Sequence, residues 1–116
     1  MAARSFAGVL QMGSSQLTIA LRLMGGSATQ LSLSLTSQGS SSSSSSTSGT
    51  GAWTSPPLAR VDHDGRLRIL VQGDSAVTMF LVAVQPGGTS VSSMSMDAAS
   101  FARDTEGFPA LELEAR

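Results

Sequence analysis

The sequence predicts an all-β protein: a two-sheet antiparallel β-sandwich, jelly-roll-like, with about seven to nine short strands in a single domain over residues 1–116. Three observations predict it. Aliphatic residues recur at every second position through much of the first third. Glycine-, serine- and proline-rich clusters cut the chain into short apolar runs. No long stretch carries the helical period of an amphipathic helix.

Between Phe6 and Leu35 the alternation is regular. Leu17, Ile19, Leu21 and Leu23 are separated by Thr18, Ala20 and Arg22, and Leu31, Leu33 and Leu35 alternate with Ser32 and Ser34. Successive strand residues point to opposite faces, so each run has one leucine face and one polar face. A four-residue turn "GSSQ" (13–16) would set Met12 opposite Leu17 and Leu10 opposite Ile19. A three-residue turn "GGS" (25–27) would set Leu21 opposite Leu31 and Ile19 opposite Leu33. A slip of one residue would turn every leucine to the wrong face. The first third is therefore a three-stranded meander whose oily face needs a cover.

Residues 37–51, "SQGSSSSSSSTSGTG", contain no hydrophobic residue and no charge. Such a tract reads as a flexible loop or linker. Beyond it, Pro56 and Pro57 forbid a central strand, so the next strand starts after them. "RLRILVQ" (66–72) and "AVTMFLVAVQ" (76–85) are strong strands. The second is apolar on both faces, which marks burial on both sides or at an interface. "PGG" (86–88) turns the chain, and "TSVSSMSM" (89–96) alternates weakly. "DAASFAR" (97–103) forms a helical turn capped by Asp97. "ALELEA" (110–115) is a last strand, with Leu111 and Leu113 inward and Glu112 and Glu114 outward. Met79, Met94 and Met96 fall on strands, where flexible thioethers fill gaps in a core.

The only histidine, His63, sits in "VDHDGRLRI" (61–69) between Asp62 and Asp64. Setting Val61 opposite Leu67 and Ala59 opposite Ile69 leaves His63-Asp64-Gly65 as a three-residue hairpin loop, with Gly65 at the positive-φ position. Asp62 and Arg66 then flank the loop as an exposed cross-strand pair. A calcium loop would need an oxygen ligand where Arg66 stands and a bidentate glutamate where Gly73 stands. A zinc site would need further histidines or cysteines, and the chain has none. Gly73-Asp74-Ser75 lacks the flanking glycines or following helix of a serine hydrolase nucleophile and reads as a turn.

Composition excludes more. Lysine, cysteine, asparagine and tyrosine are absent, which removes disulfides, thiolate chemistry, the usual phosphate-binding loop and N-glycosylation. Seven arginines against eight acids, with no basic run, argue against nucleic-acid binding. The N-terminus lacks a signal-peptide core, and the longest apolar run (76–84) falls well short of the ~20 residues of a membrane helix. The expected location is a virion or the cytoplasm, with no membrane partner. No catalytic group, cofactor or metal ligand set stands out.

Charge is sparse, 13% against a usual ~25%, and unevenly placed. None lies between Arg22 and Arg60, nor between Asp74 and Asp97. Strands bare of charge invite pairing unless something covers them. The expectation is a non-enzymatic structural subunit that forms homo-oligomers and sits on a larger protein scaffold, as a viral or phage coat, decoration or tail-tip protein does. The alternative is a carbohydrate- or ligand-binding module. Its candidate contacts are Trp53, Asp62, His63 and Asp64, with a poor aromatic supply for stacking on sugars.

Overall fold

Alternating aliphatic residues build the first sheet. The structure, a computed structural model, describes residues 4–12, 15–24, 30–37, 40–47, 54–73, 77–85 and 88–116, with side chains over 4–11, 16–23, 54–73, 77–83 and 90–116. Strands β1 (Arg4–Met12), β2 (Ser15–Met24), β3 (Gln30–Ser37) and β4 (Ser40–Thr47) follow one another as an antiparallel meander. The second sheet repeats the plan with β5 (Leu58–Val61), β6 (Leu67–Gln72), β7 (Val77–Gln85) and β8 (Gly88–Ser95). After helix α1 (Ala98–Asp104), strand β9 (Ala110–Leu111) returns beside β5, and β10 (Glu114–Ala115) crosses to lie beside β1. The sheet orders are β10-β1-β2-β3-β4 and β8-β7-β6-β5-β9.

This is the expected all-β sandwich. Each sheet is a meander with a late strand brought back beside its first, a return of the Greek-key kind. The likeness to a jelly roll lies in the two facing antiparallel sheets. Long stretches of chain stay within one sheet, and the crossings fall between β4 and β5 and between β9 and β10.

The predicted faces carry the core. Leu17, Ile19, Leu21 and Leu23 of β2, with Phe6 of β1, pack against Leu67, Ile69 and Val71 of β6 and Phe80 and Val82 of β7. All are essentially inaccessible to water. Each such side chain contributes about 1.5–3 kcal/mol relative to exposure. The polar residues between them on β2, from Gln16 to Arg22, are exposed, as period two requires.

The second apolar face of β7 is covered within the chain. Phe101 of α1 packs on Leu70 and Met79, with Leu81 and Met96 at the margin. Met79 fills this cluster, whereas Met94 is exposed. Asp97 caps the helix as expected: its carboxylate accepts the Ser100 N–H at 2.7 Å. That bond holds the Asp97 carboxyl below its usual range. At the other end the buried Thr105 hydroxyl donates to the Phe101 carbonyl at 2.7 Å.

Beyond the exposure of Met94, four expectations are corrected. The loop or linker expected over 37–51 contains a strand: β4 pairs with β3 from Ser37↔Ser40 to Gln30↔Thr47. Ladder hydrogen bonds use the backbone, so β3 can be matched without any apolar side chain on its neighbour. Secondly, both early registers are shifted by two residues. Leu10 faces Leu17 and Met12 faces Ser15, while Leu21 faces Leu33 and Leu23 faces Leu31. A two-residue slip keeps every side chain on its face, so hydrophobic alternation cannot distinguish these pairings. Thirdly, the last strand is split between the sheets. Leu111 and Leu113 still pack on the core, and Glu112 and Glu114 are exposed. The fourth concerns Asp62 and is taken up below.

The crossing residues Glu112 and Leu113 pass close over Gly8. A Cβ there would lie 2.8 Å from the Glu112 carbonyl oxygen and 2.8 Å from Leu113 Cδ2. Gly8 is needed for this approach. The Arg116 N–H then donates to the Ser5 carbonyl at 2.8 Å, tying this segment to β1.

Candidate functional site

The hairpin between β5 and β6 forms as its apolar residues predict: Val61 faces Leu67 and Ala59 faces Ile69. Gly65 has φ 78°, a backbone conformation that other residues adopt only with strain. The Asp62 N–H donates to the Arg66 carbonyl at 2.9 Å, and the Gly65 N–H to the Asp62 carbonyl at 3.0 Å.

The Asp62 side chain departs from expectation. It is buried rather than exposed, and its ionic partner is Arg68, not Arg66. Asp62 Oδ1 accepts the N–H groups of Asp64, at 2.9 Å, and Arg66, at 3.1 Å; Oδ2 accepts Arg68 Nε at 3.4 Å. The short side chain folds back over its own turn, a preference of aspartate at the start of a loop. Burial alone would push its carboxyl up. The Arg66 and Asp64 N–H groups and the Arg68 guanidinium outweigh that and hold it below the usual aspartate value.

His63 and Asp64 are exposed at the tip. His63 meets Phe108 edge-on, with ring centroids 4.7 Å apart and planes at 81°. The Arg68 guanidinium lies 5.9 Å from the same ring centroid. Phe108 is held by its N–H bond to the Thr105 carbonyl, and Pro109 beside it accepts the Val61 N–H. The hairpin is thus braced from below by Asp62 and from the side by the loop after α1. Sequence reasoning missed Arg68 and Phe108; the one signal for the second was an isolated aromatic before a proline.

Among the described residues, the hydrogen bonds of this hairpin run to Asp62 and not to His63. No group of three or more His, Cys, Asp or Glu among them gathers closely enough to hold a metal ion. Trp53, the remaining candidate contact, lies outside the described residues, as do Asp74 and Ser75 of the Gly-Asp-Ser sequence.

The charge-poor strands lie together. On the outer face of the first sheet Ala7 pairs with Ala20 and Val9 with Thr18, and in register beyond them come Ser34 and Thr36 of β3, then Ser43 and Ser41 of β4. Val9 is half exposed. Arg22 is the one charged residue of β2, β3 and β4. Strand β4 lies against β8, whose residues Ser92 to Ser95 are exposed. The long, uncharged edges of both sheets therefore sit on the same side of the sandwich.

Comparison with family models, curated proteins and solved structures finds no match to this chain. Among the described residues, no helix is long and apolar enough to cross a membrane.

Proposed function

We propose that this chain is a non-catalytic structural subunit that assembles with copies of itself and on a larger protein scaffold. A coat, decoration or tail-tip component of a viral or phage particle fits this description, and would place the protein in the virion. The observation that carries the reading is the pair of uncharged edge strands, β4 and β8, side by side on one flank of the sandwich. An eight-residue edge without charge or proline is a template for another chain. The near balance of charge removes the long-range repulsion that keeps copies apart.

The hairpin supports the same reading from the other direction. Asp62 spends its carboxylate on its own turn, and His63 leans on Phe108. These are the bonds of a braced loop. A ligand site built on Asp62, His63 and Asp64 would have to compete with them.

Size-exclusion chromatography with light scattering tests the proposal. The expected result is a mass that is a whole multiple of 11.8 kDa and stable on dilution through the micromolar range. A monomer throughout that range contradicts it.

A further inference from the structure

We infer that β4 is a self-pairing edge: it joins the β4 of a second copy, antiparallel and about a two-fold axis, so that two five-stranded sheets run on as one. This rests on the assembly reading above and names its interface.

The four sheet ends are unequal. Strands β9 and β10 are two residues long, and Glu114 stands on β10. Shortness and charge are the ordinary ways to blunt an edge. Strands β4 and β8 are eight residues each and have neither charge nor proline. Among the described residues no strand lies beyond β4. Its outward N–H and C=O groups therefore have no ladder partner among the described residues, over a length greater than the usual strand of about five to six residues.

The occupant follows from the sequence of the strand. Residues 40–46 are all serine and 47 is threonine. In an antiparallel pair about a two-fold axis, serine meets serine or the single threonine at the strand end whatever the register, so no bulky residue is forced against another. No like charges face each other across the axis, a juxtaposition that would destabilise the pair. Strand β8, which lies against β4, brings no charge to the junction either. A patterned foreign strand would gain main-chain hydrogen bonds but no selectivity from a uniform one, because alternate side chains give strand addition its specificity.

The chain contains no cysteine, so single substitutions report proximity cleanly. Ser41→Cys through Ser46→Cys, one at a time in the purified full chain, are oxidised mildly beside Ala102→Cys on the exposed face of α1. Because residue i of one copy faces residue j of the other, only the β4 position nearest the two-fold axis meets its own copy. The scan should therefore show one maximum, where disulfide-linked dimer forms at least about tenfold faster than with Ala102→Cys. A cysteine-free double variant, Ser42→Lys with Ser44→Lys, sets like charges on one face of the strand. It raises the dissociation constant at least about tenfold, while far-UV circular dichroism keeps the β signature. If the chain is oligomeric but β4 thiols react no faster than that at 102 and the lysines leave the mass unchanged, β4 is not the interface, and the assembly reading survives. A monomer at every concentration overturns both.

Discussion

The two flanks of the sandwich finish their sheets in opposite ways. On one, short strands β9 and β10 are joined by Glu112 and Leu113, which strap the sheets together over Gly8. On the other, β4 and β8 run for eight residues each with no charge. One flank is closed by residues 110–116, with the Arg116 N–H on the Ser5 carbonyl. The other has no strand beyond β4 or β8 among the described residues. The contrast teaches that a chain can manage its edges locally, and that an unmanaged flank is informative because the same chain blunts the opposite one.

Four substitutions break or sharpen that contrast. The largest effect is expected in the core that both flanks share: Phe80→Ala, at a position 1% exposed, costs about 3–5 kcal/mol in denaturant unfolding. It weakens both sides alike and calibrates the rest. Next, Gly8→Val drives a side chain into the strap and costs about 2–3 kcal/mol. Its specific signature is faster hydrogen exchange at residues 110–116, with oligomeric mass unchanged.

Asp62→Ala follows at about 1–2 kcal/mol, because the Asp64 and Arg66 N–H groups lose their acceptor. Its pH dependence has a definite sign. The folded carboxyl titrates below the ordinary value of about 3.9, so its contribution is complete above that value and is lost as pH falls through the lower folded one. Unfolding midpoints of wild type and Asp62→Ala should therefore converge in acid and stay apart at neutral pH. The smallest effect is on the open flank: Ser43→Ala changes stability by less than about 0.5 kcal/mol, since β4 is held by backbone pairing.

The faces of the strands were legible because burial imposes period two, and Leu17 through Leu23 obey it without exception. The hairpin at His63 was legible to the residue because Val61, Leu67 and Gly65 fix it independently. The registers of β1 on β2 and β2 on β3 were legible only as parity, since Leu21 is as well matched by Leu31 as by Leu33. Strand β4 was not legible: serine carries no pattern, and the information for pairing lies in β3. The split of residues 110–115 was hidden because two-residue strands have no period, although the inward set of Leu111 and Leu113 was visible. The brace on the hairpin was missed because Asp62 and Arg66 flank the turn in sequence, while the guanidinium that reaches the carboxylate is two residues further on, on Arg68.

Hydrogen–deuterium exchange followed against protein concentration tests the account most directly. At concentrations where the chain is assembled, those amides of residues 40–47 that point away from β3 should exchange nearly as slowly as those of β6, and they should quicken on dilution while β6 stays protected. Protection of these amides that does not change with concentration, or their exposure at all concentrations, would contradict the account.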